Sequence, residues 1–347
     1  MPDADLTTTL PFPVLVGDIG GTNARFAIVP DREAPLEVFH SVATGDFPDI
    51  ESAIEASVYA KTKLRPRAAL IDIAGPIVGD AVDLTNAAWV IRPRDMIARL
   101  GVEDVILLND FEALALALTA LSPDDLVKIG GGDPTPTGAK VVLGPGTGLG
   151  VGGLVNAGGG LKGPGGIWVP VPGEGGHVTL GPAEPDEFAI WPNVAPEHGT
   201  ISAEVILSGR GLVALYRAVA KTAGTEARYA TPAEVTKAAL DNSDPLAVRT
   251  MALWARLLGR QAGDMALIFM ARGGAYIGGG IPPRILPFLT DGNFRRAFED
   301  KPPHGHVMAT IPLYVIIGEN PALQGLAAFA RMPERFGVNL SGRRWRK

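Results

Sequence analysis

The sequence has no cysteine, which excludes disulfides, thiol nucleophiles and thiolate-held zinc together and is compatible with a reducing compartment. It also lacks a long apolar run. The best stretch, Met251 to Ala271, is interrupted by Arg256, Arg260 and Asp264, short of the roughly 18 apolar residues a membrane span needs. The opening MPDADLTTTL is acidic, without the basic-then-apolar order of a signal peptide, and reads as a loose leader. Basic excess is missing too. Lys and Arg number 31 against 37 Asp and Glu, a net charge of −6, which argues against a nucleic-acid footprint. No G-x-x-x-x-G-K-[ST] occurs, so the P-loop is excluded. One G-x-G-x-x-G, Gly158 to Gly163, lies in a loop that opens no helix, so the dinucleotide fingerprint lacks its context.

Glycine is abundant: 44 of 347 residues, against about 24 at average usage. The 46% hydrophobic fraction can fill a core, and the length suggests roughly two domains. PVLVGDIGGTNARFAIV, residues 13 to 29, reads as strand, glycine turn, strand, and VVLGPGTGLGVGGLV, 141 to 155, repeats that shape. Two such units suggest two related lobes. Between them AALIDIAGPI (68 to 77) and VILLNDF (105 to 111) look like buried strands. Glu51 to Lys63 and Phe111 to Leu121 look helical, the latter apolar nearly all round, as a helix between layers should be. Further on come helices over Ser202 to Val219, Thr231 to Leu240 and Leu246 to Met270, strands at 275 to 281 and 313 to 317, and a helix near Leu323 to Ala330. Alternation of strands and helices indicates an α/β architecture with mainly parallel sheets. The closing SGRRWRK reads as a solvated basic tail.

DIGGTNAR places Asp18 at a strand end, followed by Gly20, Gly21, Thr22 and Asn23. Side-chain-free glycines let backbone N–H groups form a concave anion site, and Thr22 and Asn23 can add donors. Asp18 could hold Mg²⁺ or its water, since hard cations take oxygen ligands. An ordinary hairpin turn is the alternative. GPGTGLG offers a second turn, Gly144, Gly146 and Thr147, and two such turns could clamp a polyphosphate between them. Gly278, Gly279 and Gly280 follow a third strand, where missing side chains could leave room for a flat base or simply make a turn.

Asn109 and Asp110 stand where an apolar strand meets a helix. They read equally as an N-cap and as a ligand site at a strand's carboxyl end, where an Asp can accept a hydroxyl proton. GEGGH puts Glu174 and His177 in a loop with almost no bulk, suited to a hydroxyl-rich ligand or, with a third acid, a metal. Glu204 in ISAEVILSG and Asn86 in LTNAAW say little alone.

Together DIGGTNARFA, AGPI with LTNAAWV, ILLNDFEALA, LGPGTGLGV, PGEGGHV, ISAEVILSGRGL and IGGGIPPRI resemble, in this order, the bacterial glucokinase family over residues 14 to 330. The resemblance implies two RNase H-like lobes with mixed sheets around a central cleft, as in the sugar kinase, actin and Hsp70 superfamily. It expects a smaller lobe of residues 1–120 rejoined by 311–332, a larger lobe of 121–310, and a tail of 333–347. It implies ATP-dependent phosphorylation of glucose at its 6-hydroxyl with Mg²⁺, in a cytoplasmic homodimer without nucleic-acid or membrane partners. By position, Ile19, Gly20, Gly21, Thr22, Asn23 and Ala24 match the first ATP phosphate segment. Gly144, Gly146 and Thr147 match the second, and Gly278, Gly279 and Gly280 the adenosine segment. Asn109, Asp110, Glu174, His177 and Glu204 match glucose ligands, with Asp110 as the base, and LTNAAWV adds Asn86. A kinase of another hexose or amino sugar, or an inactive sugar-sensing regulator, are the alternatives. Arg210, in SGRGL, stands where proline is common in the family.

Overall fold

A computed structural model describes residues 9–84, 88–158 and 165–347. The strands among the described residues are β1 Val14–Ile19, β2 Asn23–Val29, β3 Glu37–Val38, β4 Val42–Ala43, β5 Ala68–Ile73, β6 Val82–Asp83, β7 Val90–Ile91 and β8 Asp104–Asn109. Then follow β9 Leu126–Gly130, β10 Lys140–Pro145, β11 Leu149–Ala157, β12 Ile167–Gly173, β13 Gly274–Ile277, β14 Leu313–Ile316 and β15 Arg344–Arg346.

The chain divides into two compact units. The first comprises Met1–Ser122, Leu154–Pro172 and Gly318–Lys347, the second Pro123–Gly153 and Gly173–Ile317. Relative to the expected division, the first unit takes in residues 154–172 and the C-terminal residues, and the return begins at Gly318. The large core of the second unit is built mainly from its helices, with Trp254 and Tyr216 fully enclosed.

The first unit's sheet runs β15-β8-β5-β1-β2-β3, with β4 also on β2. Its centre, β8-β5-β1, is parallel. β5 is buried throughout, as a two-sided parallel strand must be. The flanks are antiparallel, so the sheet is mixed. β1 and β2 form the expected hairpin, paired from Val14↔Val29 to Ile19↔Ala24. The second sheet runs β12-β11-β10-β13-β14-β9, and the turn between β10 and β11 is the second glycine hairpin. β13 ends at Ile277, so the three glycines that follow lie beyond the strand rather than in it.

The C-terminal tail is not frayed. β15 pairs antiparallel with β8, Trp345 is buried, and its Nε1 donates to Asp80 at 2.7 Å. Arg344 pairs with buried Asp104, and Arg343 with buried Glu112. Each of those acids sits at 5% or less side-chain exposure, so the basic residues neutralise charges that burial would otherwise penalise. The charge run that suggested a solvated end is an edge strand with counter-charges underneath.

Candidate active site

In the first unit, the carboxyl ends of β1, β5 and β8 carry the candidate residues side by side. The parallel register sets Asp18 opposite Asp72 and Ile73 opposite Asn109, and strand ends of this kind are where open parallel sheets bind ligands. Asp110 opens the helix Asp110–Ala117. Asn109 caps it, its Oδ1 accepting the N–H groups of Phe111 and Glu112, so the capping role is present beside any ligand role. Asp110 Oδ1 also accepts from Phe111 N–H, at 3.0 Å.

Asp18 pairs with Arg25 across the hairpin at 2.9 Å. Asp72 is fully buried and has no N–H or hydroxyl donor to its carboxyl oxygens among the described residues; its hydrogen-bonding neighbour is the Asp18 carboxylate. Burial foremost, then the negative charges of Asp18 and Asp110, push its carboxyl well above the usual range. The sequence reading passed over it. Its signal was present: one acid inside the otherwise apolar AALIDI strand.

The first glycine turn is braced by Thr44, whose Oγ1 donates to Gly21 O and whose N–H donates to Thr22 O. Gly20 N–H closes the turn on Asn23 O, so it is spent internally. The N–H groups of Gly21 and Thr22 make no bond within the described residues, and Ile19, Asn23 and Ala24 flank them.

In the second unit the remaining candidates gather around Leu149. Its N–H donates to Glu204 Oε2 at 2.8 Å. Gly176, in the GEGGH loop, packs so closely on Leu149 that a Cβ would lie 1.8 Å from the Leu149 carbonyl oxygen. His177 Nδ1 lies 3.3 Å from Glu174 Oε2, both side chains exposed. Ala203 N–H donates to Val178 O and Leu180 N–H to Ile201 O, which stitches the His177 loop to the Glu204 segment. Gly146 N–H closes its turn on Gly148 O, and Gly146 O accepts Gly209 N–H, so the second glycine turn is tied to the helix Gly209–Thr222.

Gly278 N–H donates to Leu143 O, and Gly279 holds φ +85° with a Cβ position 2.4 Å from Pro145 O. That glycine is required by backbone approach to the second glycine turn as well as by its left-handed φ. Around Gly280 a Cβ would meet nothing within 4 Å. Asn86 lies outside the described residues. No group of three His, Asp or Glu placed to hold a metal occurs among the described residues, so Glu174 and His177 find no third ligand.

The glucokinase family model matches residues 15–333. The chain belongs to the glucokinase family. It is 53% identical, over 100% of both chains, to a glucokinase of Rhizobium meliloti (strain 1021). With a glucokinase of Mesorhizobium japonicum it shares 52% over 99% of this chain and 98% of the other. In fold it matches the crystal structure of a glucokinase from an Antarctic psychrotroph with a TM-score of 0.80 and 30% identity, over 91% of this chain and 98% of that one. The ion pairs of Arg210, to Glu204 at 2.8 Å and to Glu197 at 3.1 Å, were not legible in the sequence.

Proposed function

We propose that the chain transfers the γ-phosphoryl group of ATP to the 6-hydroxyl of D-glucose, giving ADP and D-glucose 6-phosphate. The observation that carries this is end-to-end identity of about half with curated glucokinases. Asp110 orients the 6-hydroxyl and accepts its proton as the phosphoryl group moves in line, a step that needs mainly positioning and charge stabilisation. Asn109 contributes its amide to the sugar while its carbonyl caps the helix. Glu174, His177 and Glu204 take further hydroxyls, and Asn86 joins them. The turns at Ile19–Ala24 and Gly144–Thr147 hold the phosphates through N–H groups, and Gly278–Gly280 receive the adenosine.

The donor set fits Mg²⁺ held through water. Asp18 supplies a hard oxygen ligand, and with no three-ligand cage among the described residues the ion depends on substrate phosphates. When bound, Mg²⁺ neutralises phosphate charge. Arg25, in contact with Asp18, fixes that carboxylate's orientation.

The proposal extends to a homodimer working in the cytoplasm, tested by sedimentation and cell fractionation. No helix among the described residues is long and apolar enough to cross a membrane.

A coupled assay with Mg·ATP and a panel of glucose, mannose, fructose and glucosamine tests the substrate. Glucose should give the highest kcat/KM. Preference for another sugar would keep the reaction and overturn the substrate.

A further inference from the structure

Arg210 breaks a local rule. It stands in the first turn of the helix Gly209–Thr222, a turn with no acidic residue and with Ser208 capping Gly211 N–H. A cation there faces the positive end of the helix dipole. Two carboxylates answer it from outside the helix, Glu204 at 2.8 Å and Glu197 at 3.1 Å. Departures of this kind from helix electrostatics are where functional constraints tend to reside.

The partner it reaches is the informative part. Glu204 is 17% exposed while Arg210 is 56% exposed, so the guanidinium covers a carboxylate that is largely enclosed. One Glu204 oxygen is taken by Arg210 and the other by Leu149 N–H. Behind that oxygen Gly148 leaves no slack, since a Cβ there would lie 2.5 Å from Oε2. The carboxylate is therefore gripped from two directions, and its plane is set. Of about four lone-pair positions on a carboxylate, two are used and two remain for hydroxyls. Without Arg210, one oxygen would lose its only side-chain partner and the carboxylate could rotate about the bond to Leu149.

We propose that Arg210 is a positioning residue for the sugar, fixing the Glu204 carboxylate in the orientation that accepts hexose hydroxyls. The proposal rests on the reading of Glu204 as a sugar ligand. A purely structural role predicts something different: loss of Arg210 would lower stability, because it leaves the enclosed Glu204 carboxylate without its counter-charge, and would leave sugar binding alone.

The test is equilibrium binding of glucose by titration calorimetry without nucleotide, beside steady-state kinetics, on the full chain. Variants are Arg210→Ala, Arg210→Lys and Glu204→Gln. Arg210→Ala should weaken glucose binding about tenfold and raise the glucose KM in parallel, with the ATP KM within about twofold of the parent. Arg210→Lys should recover most of the loss, since an ammonium still pairs with Glu204 although it cannot fork to Glu197 as well. Thermal unfolding is followed throughout. If Arg210→Ala does not fold, Arg210→Gln keeps the stem without the charge and carries the same expectation. Glucose binding by Arg210→Ala within about twofold of the parent would overturn the positioning role while leaving the kinase reading intact. Unchanged binding by Glu204→Gln would instead remove Glu204 from the sugar site, and the proposal with it.

Discussion

At Asp110 two demands fall on one carboxylate. It accepts Phe111 N–H at the start of a helix, and in the proposed reaction it takes the proton of the attacking hydroxyl. Removing the side chain leaves the helix still capped by Asn109, so the chemical loss should be separable from folding. Asp110→Ala should lower kcat by at least about 10²-fold, the low end for acid–base groups, with glucose affinity changed far less. Single-turnover rates and glucose titration check this, and retention of more than about a tenth of kcat would remove Asp110 as the base. Asp72, beneath it, makes a different prediction. Its carboxyl is raised in the folded protein by burial and by the neighbouring acids, so above the unfolded value of about 3.9 the folded state holds a proton that the unfolded state releases. That contribution to stability is intact below about pH 4 and is lost as pH rises through the folded value. Asp72→Asn, which cannot ionise, should flatten the fall of the unfolding midpoint with pH. An unchanged slope would mean the carboxyl titrates normally. Asp18, Asp110 and the glycine turns were legible in the sequence because each combines a residue type with a strand end. Asp72 was not, because an acid inside an apolar strand looks like an isolated exception until the register places it beside Asp18.

Hairpins and long helices were the most readable elements. The strand–glycine–strand pattern at 13–29 and the helix Pro245–Phe269 emerge close to their expected bounds, since hydrophobic periodicity and turn residues are local signals. The C-terminal strand was not readable, because what holds it is remote: Asp80, Asp104 and Glu112 supply its partners from far up the chain. Trp345→Ala should cost about 3 kcal/mol in denaturant unfolding, the lower range for a buried aromatic. A frayed tail would cost nothing. In the second unit, Gly148→Ala would place a methyl where Glu204 Oε2 now lies and force the carboxylate out. Its glucose KM should rise about tenfold or more, since small misplacements of ligating groups are costly. Steady-state kinetics at saturating ATP read this directly, and an unchanged KM would show that the turn can yield.

At the scale of the whole molecule, the two strand–glycine–strand patterns pointed to two related lobes, and each unit carries one such hairpin in its sheet. The division into units was less legible. The first unit is assembled from three separate stretches of chain, and no composition shift marks the crossings at residues 153–154 and 172–173. Sugar choice is less legible still, because acids, an amide and an imidazole suited to hydroxyls do not by themselves select an epimer. The central claim is phosphoryl transfer from ATP to the 6-oxygen of glucose, with Asp110 as base. The most direct measurement is phosphorus NMR of glucose and Mg·ATP incubated with the protein, with Asp110→Ala in parallel. With the parent the glucose 6-phosphate and ADP resonances should grow, and with the variant almost not at all. Inorganic phosphate without a sugar phosphate, or equal product from the variant, would contradict it.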